Sequence, residues 1–287
     1  MPKFDSATGR YTYLTIEGVE YRIYFEEAGR GEIGLLLQHT AGADGRQWRH
    51  ILEDDDLQTK FRLIAYDLPF HGKSVPPVDT NWWEKEYRLE KEFLMQVPIS
   101  LAHALELERP VYMGSSIGGH LAIDLALYHP NEFRAVVGLE ASAHTPGGFV
   151  DEFYHPKIGN DYKAHLMYGM MAPTSPKALR HETSWVYSQG APPVFKGDLF
   201  YYSIDHDVRN TARTINTELC SVDILNGEYD WSGTPEAGEE LASMIPGARY
   251  RTLGGLGHFP MSENPTLFLD QIRPVLSDII ESSRSRS

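Results

Sequence analysis

The sequence predicts an α/β fold: a mostly parallel central sheet flanked by helices, with an inserted, mainly helical cap. Three observations indicate this. Two leading segments alternate polar and apolar side chains, later apolar runs alternate with segments of helical spacing, and one long interval holds no clear strand. Continuous apolar strands separated by helices are typical of a parallel sheet covered on both faces.

The first two strands are predicted to form an antiparallel hairpin. YTYLTIEG (11–18) and VEYRIYFEEAG (19–29) alternate in polarity and meet at Gly18. Six short, mostly apolar runs follow as further strands, at residues 33–38, 62–68, 111–115, 134–140, 221–227 and 248–255. Segments between most of them repeat apolar residues at helical spacing.

The interval from residue 142 to about 215 is predicted to form the cap. It is rich in aromatic residues and methionine, and prolines and glycines mark turns in AHTPGG and GAPPV. Residues 1–141 and 216–287 then form the core. The cap's aromatic side chains either pack with one another or wall an apolar pocket over the sheet edge.

Composition limits the classes of partner. A net charge of −14 argues against nucleic acid or an anionic membrane surface and leaves a small molecule as the expected partner, with a homo-oligomer possible. The single Cys220 excludes an intrachain disulfide and is typical of a reducing compartment. MPKFDSATGRYTYLTIEG lacks the apolar core of a signal peptide, and no apolar run is long enough to span a membrane. We therefore expect a cytoplasmic protein.

GSSIGG (114–119) joins a predicted strand to a predicted helix. G-x-S-x-G at such a junction is a nucleophile elbow, in which a tight, strained turn projects the central serine from the sheet edge. Gly114 and Gly118 flank Ser116, which is therefore the candidate nucleophile, and Ser115 lies one residue away from the apex. The alternative is a simple turn of small residues.

Two later loops supply a base and an acid. His258 lies in GLGHFP, after the last strand, and Asp230 lies in NGEYDW, after the strand before it. Because the carboxyl ends of parallel strands share one edge, Ser116, Asp230 and His258 should meet there in the order of a serine hydrolase triad. Glu140 also ends a strand and is a rival acid.

The other candidates are weaker. Asp223 and Glu228 are less favourable acids. Among the twelve histidines, His120 and His129 are expected on a helix surface, and His103 is expected to pack on its own helix.

The loop LLLQHTAGADG follows the first central strand. Its backbone N–H groups can face the nucleophile and stabilise an oxyanion, and the amides of Ala41 and Ile117 are the expected donors. The alternative is an ordinary strand-to-helix turn.

Taken together, HTAG (39–42), DLPFHGKS (67–74), GSSIGG (114–119), GEYD (227–230) and GHFPMSENP (257–265) resemble the α/β-hydrolase superfamily of the bacterial type, with a cap after the sixth strand. The resemblance implies Ser116 as nucleophile, Asp230 as acid and His258 as base. It also implies the amides of Ala41 and Ile117 as the oxyanion hole. The chain departs from the usual motifs at Thr40 and at Phe70, which replaces a glycine.

The superfamily hosts many chemistries. A serine at the elbow disfavours the related haloalkane dehalogenases and epoxide hydrolases, which use Asp there. Hydroxynitrile lyases, perhydrolases and the carbon–carbon hydrolases of ring-cleavage pathways stay open, although the last usually have Trp where this chain has Phe259.

Cleavage of a carboxylic ester or lactone of a small, largely apolar substrate is the expected activity. A small-molecule receptor with vestigial hydrolysis is the second class of function. No metal or organic cofactor is expected, because the sequence has no Cys/His cluster with ligand spacing and no G-x-G-x-x-G after a strand.

Overall fold

A computed structural model of the chain describes residues 3–155, 157 and 159–284. Residues 1, 2, 156, 158 and 285–287, which fall within the predicted core and cap ranges, lie outside the described part. The chain forms one eight-stranded sheet with helices on both faces, as predicted.

The sheet contains every strand that the sequence predicts. Its strands are β1 (Thr8–Ile16), β2 (Val19–Ala28), β3 (Ile33–Gln38), β4 (Phe61–Tyr66), β5 (Val111–Ser115), β6 (Ala135–Leu139), β7 (Ser221–Gly227) and β8 (Arg249–Leu253). Their order is β1-β2-β4-β3-β5-β6-β7-β8. β2 runs antiparallel to β1 and β4, and the pairs from β4 to β8 are parallel.

The strand order reverses at β3. The chain passes from β3 to β4 on one side and then returns to β5 on the other. Ligands of open α/β sheets bind beyond the carboxyl ends of the strands at such a reversal. The loops after β3 and β5 lie at this point.

The helices are α1 (Arg49–Leu52), α2 (Asp55–Lys60), α3 (Lys91–Ala104), α4 (Ile117–Tyr128), α5 (Asn160–Gly169), α6 (Lys177–Ser188), α7 (Pro192–Phe200), α8 (Pro235–Met244), α9 (Pro260–Glu263) and α10 (Pro265–Arg284). Within the described ranges, none is long and apolar enough to cross a membrane.

Alternate side chains of the central strands enter two separate cores. Leu36 of β3 and Tyr112 of β5 belong to the core beneath α3 and α4, whereas Leu35 and Leu37 belong to the core beneath α10. Burial on both faces explains why these strands are continuously apolar.

The predicted strand-free interval 142–215 contains α5, α6 and α7, and its described residues include no strand. A wider π turn, Tyr201–Asp205, follows α7. We call the residues between β6 and β7 the insertion. Its division from the core at residues 142 and 215 stays a prediction.

Candidate active site

Ser116 lies at the turn between β5 and α4 with φ 58° and ψ −111°, a conformation that non-glycine residues rarely adopt. Its N–H donates to the Leu139 carbonyl at 2.9 Å, which ties the turn to β6. A Cβ at Gly114 would lie 2.7 Å from the backbone of Gly118, so the turn requires a glycine there. This geometry is that of a nucleophile elbow.

The two serines face different surroundings. Ser115 is completely buried, and its Oγ lies 3.5 Å from the His258 carbonyl oxygen. Ser116 instead lines a cavity of about 330 Å³, together with His258. Of the two neighbours, Ser116 is therefore the one that a bound molecule reaches.

The structure brings Asp230 and His258 together. His258 Nδ1 lies 2.6 Å from Asp230 Oδ2, and the N–H of Ser232 donates to Oδ1 at 2.8 Å. Burial alone would raise the pKa of Asp230, but the charge of His258 and the accepted hydrogen bonds bring that pKa below its ordinary value. With the proton on Nδ1, the Nε2 lone pair of His258 is free, and no donor among the described residues occupies it.

Glu263, which the sequence analysis did not single out, holds the His258 loop. Its Oε1 accepts hydrogen bonds from Gly257 N at 2.7 Å, Ser175 Oγ at 2.9 Å and Ala172 N at 3.1 Å. The last two donors belong to the insertion, so this one carboxylate joins the His258 loop to it. The Glu in GHFPMSENP was the available signal.

The Ala41 loop lies beside the elbow because β3 and β5 are paired, with Gln38 opposite Gly114. Ala41 lines the same cavity as Ser116. Within the described residues, no acceptor receives a hydrogen bond from the N–H of Ala41 or Ile117. The oxyanion role of these two amides stays a prediction: Ala41 lines the cavity, and Ile117 directly follows Ser116, which lines it.

His39 fixes the start of this loop. Its Nδ1 lies 2.8 Å from the Thr40 carbonyl, and its Nε2 accepts from the N–H of Leu68 at 3.0 Å. Burial and the nearby His71 lower the pKa of His39 to about 4, so the ring is neutral. Thr40 is buried and contacts the hydroxyl of Tyr187 in the insertion, so it links the loop to the insertion.

The insertion supplies most of the cavity wall with apolar and aromatic side chains. These are Phe153, Leu166, Met167, Met170, Tyr187, Phe195, Leu199 and Tyr202. The titratable side chains in the described lining are His258 and the two phenols of Tyr187 and Tyr202. Burial raises the pKa of Tyr202 to about 12. The cavity is therefore apolar and without a fixed ionic charge.

The expectation that His120 lies on a helix surface is wrong. His120 is completely buried beneath the elbow, and its Nδ1 lies 3.0 Å from the Ser116 carbonyl. Burial and the neighbouring His206 lower its pKa well below the ordinary value. α4 is buried on all sides from Ile117 to Ala126, because the insertion covers the face that a sequence pattern assigns to solvent. His103 is exposed and pairs with Glu132.

Glu140, the rival acid, is completely buried next to Asp230. Within the described residues its carboxyl forms no hydrogen bond with His258; it accepts one from the N–H of Gly227. No group of three or more His, Cys, Asp or Glu side chains in the described part of the chain is arranged to hold a metal ion.

The family model described as alpha/beta hydrolase fold matches residues 35–265. The chain therefore belongs to the alpha/beta hydrolase family.

Curated relatives match over part of their length. A 2-hydroxy-6-oxononadienedioate/2-hydroxy-6-oxononatrienedioate hydrolase of Burkholderia vietnamiensis is 27% identical over 148 residues, 51% of this chain and 49% of the relative. A pimeloyl-[acyl-carrier protein] methyl ester esterase of Edwardsiella ictaluri is 32% identical over 144 residues, 50% of this chain and 48% of the relative. The matched stretch thus spans about half of each relative.

Among solved structures, a thermophilic esterase from Thermogutta terrifontis superposes with a TM-score of 0.81. It is 19% identical, with 94% of this chain and 99% of the esterase covered. At this identity the similarity concerns the fold.

Proposed function

We propose that the protein is a serine hydrolase that cleaves a carboxylic ester or lactone of a small, largely apolar and uncharged substrate through an acyl-enzyme. The observation that carries the proposal is that Ser116, His258 and Ala41 line one largely apolar cavity. Asp230 binds Nδ1, the ring nitrogen of His258 on the side of the ring opposite Nε2.

In the proposed mechanism, His258 Nε2 takes the proton of Ser116 Oγ as that oxygen attacks the substrate carbonyl. Asp230 keeps the proton on Nδ1 and stabilises the imidazolium that forms. The amides of Ala41 and Ile117 hold the oxyanion, and His258 then protonates the leaving alcohol. Water repeats the sequence on the acyl-enzyme and releases the acid.

The strained turn supports the role of Ser116. A left-handed serine followed directly by a helix places Oγ at the helix N-terminus, where the backbone dipoles stabilise negative charge. His258 N donates to the Met170 carbonyl at 3.1 Å, so the base is also attached to the cavity wall.

The cavity favours a neutral substrate. Arg209, a candidate carboxylate clamp, is exposed and paired with Asp207, and Arg180 lies over the ring of Tyr168. Neither arginine lines the cavity. Lys163 is buried, 5.8 Å from the ring of Phe195, and its Nζ has no hydrogen-bond partner within the described ranges, but it too is absent from the lining.

A carbon–carbon hydrolase is the second candidate. The hydrolase of Burkholderia vietnamiensis, whose named substrate is a dioate, favours it at 27% identity. A dioate needs cations, and Lys163 lies 5.8 Å from the ring of Phe195, a residue of the cavity wall. The esterase of Edwardsiella ictaluri favours the ester reaction at higher identity.

A matched pair of p-nitrophenyl esters that differ only in a terminal carboxylate separates these candidates. We expect the neutral ester to have the higher kcat/KM, because burying a carboxylate without a partner is costly. Assays at low and high salt, with wild type and Lys163→Met, form the control set.

A preference for the charged ester that salt or Lys163→Met abolishes would contradict the substrate class and favour the carbon–carbon hydrolase. No turnover of either ester above that of Ser116→Ala would instead favour a receptor.

A further inference from the structure

The carboxyl group of Glu140 lies next to Asp230 but is not a member of the proposed triad. Glu140 follows β6 in the left-handed region, with φ 58°, and its side chain is completely buried. The N–H of Gly227 donates to Oε2 at 2.9 Å. A Cβ on Gly233 would lie 2.6 Å from the Glu140 carbonyl oxygen and 3.0 Å from Asp230 Oδ2, so the two acids are neighbours, and their carboxyl groups pair with each other.

Asp230 has donors for its carboxyl oxygens, whereas one carboxyl oxygen of Glu140 has none in the described part of the chain. A proton shared between the two carboxyls would fill this gap. Asp230 accepts from His258 and from the N–H of Ser232. Oε1 of Glu140 is buried, and among the described residues it receives no hydrogen bond from an N–H or O–H group. Two carboxylates in contact away from water repel each other, and sharing one proton relieves that repulsion.

Among the residues that the structure describes, no lysine or arginine forms an ion pair with Glu140. Besides Asp230 with its partner His258, Glu263, Tyr202 and Tyr250 interact with it electrostatically. All three are acidic or neutral.

The surroundings favour a proton on Glu140 over one on Asp230. Asp230 is paired with His258, which favours its charged form. Burial, and after it the charge of Asp230, raise the pKa of Glu140 well above its ordinary value.

We propose that Glu140 is a positioning residue that stays protonated and donates a hydrogen bond to the Asp230 carboxylate. Asp230 then accepts three hydrogen bonds, from Glu140, His258 and Ser232, and its orientation towards His258 is fixed. The catalytic part of this proposal rests on the proposed function. The protonation of Glu140 does not.

The test compares Glu140→Gln with Glu140→Leu. A glutamine keeps both contacts, because its carbonyl accepts from Gly227 and its amide donates to Asp230. We expect it to retain kcat on a neutral p-nitrophenyl ester within about threefold, since no hydrogen bond is lost. Leucine, of similar size, removes the bond to a charged acceptor and should lower kcat by about 10- to 100-fold, with KM changed little.

The second readout is the thermal stability of the wild type and Glu140→Gln as a function of pH, which needs no activity. A carboxyl whose pKa is raised on folding loses stabilising free energy as pH rises from its unfolded value through its folded value. The melting temperature of Glu140→Gln should therefore gain on that of the wild type as pH rises above about 4.5. Glu182→Gln is the control of opposite sign: the hydrogen bonds and charge of Arg49 lower the pKa of Glu182, so the melting temperature of that variant should not gain on that of the wild type as pH rises.

Three results would overturn the proposal. The first is a difference in melting temperature between wild type and Glu140→Gln that does not change with pH. The second is a kcat of Glu140→Gln as low as that of Glu140→Leu. The third is a kcat of Glu140→Leu equal to that of the wild type. If Glu140→Leu does not fold, the pH series with Glu140→Gln still decides. Failure of the proposed function shows separately, as ester turnover that Ser116→Ala leaves unchanged.

Discussion

Three buried aspartate–histidine pairs of nearly equal length lie in the described part of the chain, and they differ in what the second ring nitrogen does. The pairs are Asp230–His258 at 2.6 Å, Asp198–His71 at 2.8 Å and Asp124–His206 at 2.8 Å.

In two pairs both ring nitrogens are occupied. His71 Nδ1 lies 2.9 Å from the Pro69 carbonyl, and His206 Nε2 lies 3.1 Å from the Ser142 carbonyl. A carbonyl oxygen only accepts, so the nitrogen that faces it carries a proton. Both nitrogens of each ring are therefore engaged within the protein, and both pairs join the insertion to the core.

His258 differs because its Nε2 faces the cavity that Ser116 also lines. A short bond to an aspartate is therefore common to a structural and a candidate catalytic histidine. The free second nitrogen is what distinguishes a general base.

Asp230→Asn should have the largest effect among the aspartates. We expect a loss on the order of 10⁴-fold in kcat, because an asparagine favours the wrong tautomer of His258. The measurement is kcat on a neutral p-nitrophenyl ester. Asp124→Asn is the control: it should destabilise the fold but change kcat of the folded protein by about tenfold at most. Equal losses in the two variants would remove the distinction between the pairs.

Asp198→Asn should mainly affect stability. Asp198 accepts from His71, from Gly42 N at 2.7 Å and from Tyr87 OH at 3.2 Å. Loss of its charge leaves a buried imidazolium without a partner, which should lower the free energy of unfolding by about 3 kcal/mol. Urea unfolding measures this quantity. An unchanged midpoint would show that the pair is not ionic.

The Asp198–His71 pair should make the free energy of unfolding depend on pH. Burial lowers the pKa of His71, but the charge of Asp198 and the hydrogen bonds outweigh it, and the net pKa is raised. A histidine whose pKa is raised on folding stabilises fully below its unfolded value, about 6.5, and loses this contribution as pH rises through the folded value. The stability difference between wild type and His71→Gln should shrink over that window, measured by thermal unfolding. Growth of the difference with pH would contradict the assignment.

The smallest effect concerns the substrate. Each buried methylene is worth about 0.8 kcal/mol, so kcat/KM should rise by up to about fourfold per added CH₂ until the cavity of about 330 Å³ is full. A series of p-nitrophenyl esters of increasing acyl length measures this. A kcat/KM independent of chain length would show that the acyl group does not enter the apolar cavity.

Much of the fold was predictable because its signals are local. Six strands follow from apolar runs, and β1 and β2 follow from alternating polarity. The shared edge of parallel strands accounts for the placement of Ser116 and His258 at one cavity, with Asp230 bonded to His258. The replacement of a glycine by Phe70 was visible, and the structure shows why the motif favours glycine, since Phe70 has φ 73°.

The contacts of the insertion were not predictable. Asp198 meets His71 across 127 positions of the sequence, and no local pattern reports such a distance. The burial of His120 also depends on the insertion, which covers it. Glu140 was visible only as a rival of Asp230, because its role depends on which carboxyl is ionised in contact with the other.

The most direct test of the account is covalent labelling with a fluorophosphonate, followed by peptide mass spectrometry. The account predicts one adduct on Ser116 in the wild type, no adduct in Ser116→Ala, and labelling at Ser116 in Ser115→Ala. In parallel, kcat should fall by roughly 10⁴-fold or more in Ser116→Ala and far less in Ser115→Ala. An adduct on Ser115, or full ester turnover by a folded Ser116→Ala variant, would contradict it.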